Sequence, residues 1–164
     1  MKRLFLASEF FVVADHIFEN FIKEKRLKVL FITTSSELHK EECSWVVKDR
    51  AAFVRGGFEV KDFTITGKSK DEITEAFASV DIIHSVGGNT FYYLKQIQLT
   101  DSADLYRDAV TNKNKIYIGS SAGSIVMCPD VSVKNYPENR KKDETLTDTK
   151  ALNLVNFIIM PHWT

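Results

Sequence analysis

An α/β fold, a mainly parallel sheet with helices on both faces, is predicted by three features of this 164-residue sequence. Short apolar runs alternate with longer amphipathic ones, the pattern of βαβ units. Small-residue turns close several of those runs, at 56–57, 87–88 and 119–124. The length suits one domain with a single sizeable core, which buries about 70% of the unfolded surface.

Strands are expected at 2–7, 28–33, 59–65, 80–86, 115–118 and 156–160. The first, KRLFLAS, has the basic and apolar start of a signal peptide. Glu9 and Asp15 interrupt the apolar run, so a strand is the better reading. Phe11, Ala14, Ile17, Phe18, Phe21 and Ile22 then fall at helical spacing, as do Trp45, Val46, Ala52 and Phe53. Gly56 and Gly57 stop that second helix. Further helices are expected at 70–78, after the GGNT turn, at 101–111 and after residue 121. The charged, aperiodic segment 134–150 reads as a long loop or flap. With no repeat and no linker, residues 1–164 form one domain. A doubly wound domain rarely ends on a strand such as NFIIM, so a C-terminal segment is expected to be missing.

Composition limits the function classes. The 22 basic and 22 acidic side chains cancel, whereas nucleic-acid or acidic-membrane partners select for a basic excess. No stretch approaches the ~20 apolar residues of a membrane span. Cys43 and Cys128 have no metal-ligand spacing and read as free thiols of a reducing cytoplasm. Neither a metal nor a cofactor is expected.

The chemistry concentrates in IYIGSSAGSIVMCP, residues 116–129. Gly119, Ser121 and Gly123 form G-x-S-x-G between a strand and a helix. A serine presented on so sharp a turn needs glycine two positions away on each side. Ser121 is thereby exposed at the carboxyl end of the sheet, where ligands bind in such folds. The helix start offers free amides to an oxyanion, that of Ala122 first. Alone the motif is weak, since a small-residue turn or a phosphate loop reads the same way.

A second turn, VGGNTFYYL, also lies at a strand's carboxyl end, and its Gly88 amide is the candidate second oxyanion donor. Asn89 and Thr90 are candidates for substrate contact and for the helix N-cap. A serine nucleophile needs a base. His16, in an amphipathic helix, and His39, at a polar helix start, read as surface or structural, and His84 as a packed strand residue. His162, after Pro161 at a strand end, is the best placed.

Taken together, GGNTF, the SAG elbow and the PH turn resemble the peptidase E group of serine peptidases, which includes aspartyl dipeptidases. The resemblance spans the whole chain and implies a class I glutamine amidotransferase-like, flavodoxin-like three-layer sandwich. It also implies Ser121 as nucleophile, His162 as base and the Gly88 and Ala122 amides as oxyanion hole. The amidotransferases carry cysteine at the elbow, so glutaminase chemistry is disfavoured. In the family the acid that orients the histidine lies beyond the PH turn. Asp130, Glu138, Asp143, Glu144 and Asp148 are candidate replacements, and loss of such an acid lowers turnover by up to ~10⁴-fold.

The expected function is hydrolysis of short peptides, including N-terminal aspartyl dipeptides, through an acyl-enzyme. Lys134, Arg140, Lys141 and Lys142 are candidate contacts for an aspartate side chain. The alternative is a pseudoenzyme or binding protein that keeps the crevice without turnover. Apolar surface near 157–160 would favour a homodimer.

Overall fold

Runs rich in β-branched and aromatic residues become strands in the computed structural model, which describes residues 2–24, 26–39, 41–132 and 146–162. The strands are β1 (Arg3–Ala7), β2 (Lys28–Ile32), β3 (Glu59–Phe63), β4 (Ile82–Ser85) and β5 (Ile116–Ser120). The helices are α1 (Phe10–Phe21), α2 (Ser44–Arg55), α3 (Lys70–Ala78), α4 (Thr90–Leu99), α5 (Ala103–Thr111) and the single turn α6 (Ala122–Ile125). All strand pairs are parallel, in the order β1-β5-β4-β2-β3. Ala7 lies opposite Ser120, and Ser85 opposite Gly119, so the carboxyl ends of β1, β5 and β4 finish level.

The period-two alternation of strand side chains divides the interior. Val29, Phe31, Ile82, Ile116 and Ile118 pack with Phe10, Ala14, Ile17, Ala52 and Phe53 of α1 and α2. Leu30, Ile32, Ile83 and Tyr117 face the other way, against α3, α4 and α5. Helices therefore cover both faces, as the alternating apolar runs predicted. Local chemistry sets the boundaries: Ser69 accepts the Glu72 amide while the Glu72 carboxylate accepts the Ser69 amide, a capping box that starts α3 at residue 70.

One expected strand is absent. Residues 156–160 form no strand. Just before them, the amides of Ala151, Leu152, Asn153, Leu154 and Val155 donate to the carbonyls of Pro129, Val126, Cys128 and Met127, which ties this stretch to the chain that follows α6. The helix after the elbow is one turn long, because Pro129 lacks an amide and disfavours helical geometry at Cys128. Of the expected flap, residues 134–145 lie outside the described residues.

On the α1–α2 face, His84 is wholly buried among Phe10, Phe31 and Phe53, with ring centroids 4.9, 5.0 and 5.0 Å away. Its Nε2 faces the equally buried Asp49 Oδ2 at 3.4 Å, and Asp49 Oδ1 accepts the Phe11 amide at 2.9 Å. This is the packed strand histidine that the sequence suggested, with a carboxylate partner that the sequence did not reveal. Removing the carboxylate strands both the imidazole and the amide in apolar surroundings. Asp49→Ala is expected to destabilise the fold by about 3 kcal/mol, and Asp49→Asn by less, as read from urea unfolding midpoints.

Candidate functional site

The carboxyl ends of β1, β4 and β5 border a cleft of about 680 Å³ lined by residues that include Ser8, Glu9, Trp45, Gly88, Ser121 and His162. Ser121 stands at the junction of β5 and α6 with φ 45° and ψ −106°, a backbone geometry that a non-glycine residue adopts only under constraint. The flanking glycines supply that constraint. A Cβ at Gly119 would lie 2.7 Å from the Gly123 backbone, and one at Gly123 would lie 2.1 Å from the Ser85 carbonyl oxygen.

The remaining serines of the motif have separate duties. Ser120 Oγ accepts the Phe10 amide at the start of α1, at 3.1 Å. Ser124 Oγ donates to the Ala7 carbonyl, which also accepts the Ser121 amide. The elbow is thus stitched to the β1–α1 turn. Beneath it, Tyr117 Oη donates to the Gly123 carbonyl at 2.7 Å. A buried hydroxyl chain continues nearby, from Ser85 to Tyr93 at 2.7 Å and from Tyr93 to Tyr106 at 2.8 Å.

His162 reaches the serine from the segment that was expected to be a strand. Ile159 donates its amide to the buried Cys128 Sγ, and His162, at φ 58°, donates its own amide to Ser8 Oγ at 3.3 Å. Its Nε2 then lies 3.1 Å from Ser121 Oγ. With Nε2 unprotonated, the serine hydroxyl donates to it.

The second turn forms the opposite wall. Ser35 Oγ donates to the carbonyls of Val86 and Gly87, and Trp45 Nε1 donates to that of Gly87 at 3.1 Å. The peptide is trans, so the Gly88 amide points away from these anchors. Gly88 has φ 152°, and a Cβ there would strike the Ser35 carbonyl oxygen at 2.1 Å. That carbonyl accepts the Asn89 amide at 2.7 Å. Among the described residues, neither the Gly88 nor the Ala122 amide donates to another group.

The structure brings Ser121, His162, Gly88 and Asn89 to one cleft. Asn89 Oδ1 caps α4 by accepting the Tyr92 amide. Thr90 is buried and does not line the cleft. His16 is exposed on α1. His39 is not at a helix start: it precedes α2 in a loop and sets its ring edge on Trp45 at 5.1 Å, inside the cleft lining. Leu38, Ser8 and Glu9 were not read as site residues from the sequence, because loop residues carry no periodic signal, and His39 read there as surface or structural. The indole at the first turn of α2 read there only as a core position. Of the candidate acids, Asp130 accepts from Ser132 and Thr149, and Asp148 from the Lys150 amide. Neither lines the cleft. Glu138, Asp143 and Glu144, like Lys134, Arg140, Lys141 and Lys142, lie outside the described residues. No group of metal-ligating side chains occurs among those described.

The model of peptidase family S51 matches residues 4–164. An uncharacterized peptidase of Pasteurella multocida (strain Pm70) is 34% identical over 165 residues, spanning 100% of this chain and 78% of that protein. A peptidase E of Nostoc sp. (strain PCC 7120) is 32% identical over 177 residues, 99% of this chain and 66% of that protein. A crystal structure from Listeria monocytogenes EGD-e, provisionally named a peptidase E protein, matches with a TM-score of 0.91 at 33% identity, covering 99% of this chain and 80% of that one.

The hydroxyl chain under the elbow gives the fold an alkaline limit. Burial pushes Tyr93 up to about 12 and holds Tyr106 and Tyr117 well above their usual value. The unfolded phenols ionise near 10, so stability is complete below that pH and is lost as pH rises toward and through the folded values. Between about pH 9 and 11, denaturant unfolding should record a loss of about 1–4 kcal/mol, and Tyr93→Phe should reduce that loss.

Proposed function

The chain belongs to peptidase family S51, and from that premise we propose that it is a serine peptidase hydrolysing short peptides through an acyl-enzyme on Ser121. The observation that carries this reading is the 3.1 Å approach of His162 Nε2 to a serine on a left-handed elbow between glycines. As Ser121 Oγ attacks the scissile carbonyl, its proton passes to His162 Nε2. The oxyanion is received by the amides of Gly88 and Ala122. The imidazolium returns the proton to the departing amine, and a water deprotonated by His162 then cleaves the ester.

Trp45 and Ser35 act in this scheme through the Gly87 carbonyl that they hold. Freed of them, the peptide can rotate and present a carbonyl where a donor is needed. An oxyanion donor is worth about 10²–10³ in turnover. Among the described residues His162 touches Ser121 and Ser8 but no carboxylate. The orienting acid is therefore sought outside them, in the 133–145 segment or beyond the PH turn. The flap cations remain the candidate contacts for an aspartyl substrate.

A cytoplasmic homodimer belongs to the same reading. Cys43 and Cys128 are unpaired thiols, and Phe157 and Ile158, 55% and 40% exposed, offer apolar surface to a second copy. A single monomeric species in sedimentation would overturn the dimer.

A fluorophosphonate probe should label wild-type Ser121, while Ser121→Ala abolishes labelling and lowers turnover by at least about 10³-fold. Absence of labelling in the folded wild type would remove the peptidase mechanism and favour a binding role. Trp45→Phe keeps the ring but loses the N–H donor. It should lower kcat about tenfold with KM nearly unchanged.

A further inference from the structure

The wall that carries Gly88 is itself held from outside the cleft. After β2 the chain makes a short 3-10 turn, Thr34–Ser36, whose Ser35 carbonyl fills the Cβ position of Gly88 and accepts the Asn89 amide. The next residue, Glu37, is exposed and outside the cleft lining, yet its carboxylate gathers three hydroxyls from two other parts of the chain. Oε1 accepts the Thr64 hydroxyl, and Oε2 accepts those of Thr66 at 2.6 Å and Tyr92 at 2.9 Å. Thr64 and Thr66 follow β3, and Tyr92 lies in the first turn of α4, which Asn89 caps.

Proton accounting fixes the direction of this network. A carboxylate only accepts, so each of the three hydroxyls gives it its one proton. Thr64 Oγ1 then has lone pairs for the Thr66 amide and the Thr34 hydroxyl, both at 3.1 Å, and Thr34 Oγ1 in turn accepts the Ile65 amide at 3.0 Å. Two rungs thereby join the 35–37 stretch to the start of α4: Ser35 carbonyl to Asn89 amide, and Glu37 to Tyr92. The first rung adjoins Gly88. The second keeps it from shearing, while the threonines tie the same stretch to the end of β3.

We propose that Glu37 is a positioning residue for the oxyanion wall: by binding Thr64, Thr66 and Tyr92 together it holds Ser35 against Gly88 and keeps the Gly88 amide aimed at the oxyanion. The inference rests on the serine-peptidase reading and adds to it a residue that acts through others. Without the carboxylate the three hydroxyls need other acceptors, and the Ser35 carbonyl can drift. Gly88, with no Cβ, is free to follow it. An amide turned from its aim stabilises the transition state less and leaves ground-state binding intact.

The test follows the rate at which a fluorophosphonate probe labels Ser121, since the probe's phosphoryl oxygen takes the place of the oxyanion. Glu37→Ala should lower the maximal labelling rate about tenfold and leave the half-saturating probe concentration within about twofold of wild type. Glu37→Gln keeps one acceptor oxygen and gains a donor, so it should recover part of that loss. Tyr92→Phe should lower the rate about threefold alone and add nothing to Glu37→Ala, because the two remove one shared interaction. A wild-type rate in Glu37→Ala, or a loss confined to the half-saturating concentration, would overturn the assignment. So would the same loss from Tyr92→Phe in the Glu37→Ala background. Should Glu37→Ala fail to fold, Tyr92→Phe and Thr66→Val decide, and wild-type rates in both overturn it. Equal labelling of wild type and all these variants removes the positioning role and leaves the nucleophile standing. A wild type that is not labelled removes the serine mechanism and this inference with it.

Discussion

Gly123 packs so closely on β4 that any Cβ there would lie 2.1 Å from the Ser85 carbonyl oxygen, and most of the cleft is arranged around that approach. Because the first turn of α6 lies almost on the strand, the chain must reverse within Ser121, whose φ of 45° is the backbone cost. That cost is offset by the hydrogen bonds around it: Tyr117 on the Gly123 carbonyl, Ser124 and the Ser121 amide on Ala7, and Ser120 on α1. A strained residue held from three directions cannot relax, so its hydroxyl points where a base can reach it.

The opposite wall is set by a similar means. Gly88 lies against the Ser35 carbonyl as Gly123 lies against that of Ser85. In both turns a carbonyl occupies the volume of a missing side chain, and in both a neighbouring amide is left without a protein acceptor among the described residues. The two turns meet at Gly87, where a Cβ would come within 3.3 Å of Ser121 and 3.5 Å of Trp45. The preorganisation that peptide hydrolysis needs is therefore supplied by backbone, fixed by a few buried hydroxyls and one indole.

The frame was legible in the sequence because apolar periodicity and glycine placement are local signals. β2, α3 and the GGNT and GSSAGS turns fall where the pattern put them, as does the parallel order of the layers. The pairing of Ser121 with His162 was legible only through the motifs, since 41 residues of chain separate them. NFIIM misled because an apolar run says that side chains are wanted inside and not which backbone partners are free. Here the preceding residues 151–155 are bonded to the carbonyls of residues 126–129, and within NFIIM the Ile159 amide goes to Cys128 Sγ. The duties of Ser35, Trp45, Ser120 and Ser124 are contacts over long sequence separations, which no local pattern encodes.

The union of β1 with β5 has a consequence for the order in which the molecule is made. Ala7 pairs with Ser120, more than a hundred residues on, whereas β2, β3 and β4 find one another across much shorter loops. Closing the longer loop costs more entropy and brings no reward until β5 exists. A chain leaving the ribosome can assemble β2, β3 and β4 with their helices while its first ten residues wait unpaired. Only when the second half of the chain arrives do Ala7 and Phe10 acquire the serines that they hold, and Ser8 the amide of His162. The elbow that carries Ser121 is thus assembled only after β5 has emerged, and a nascent chain that has not reached it carries no such cleft.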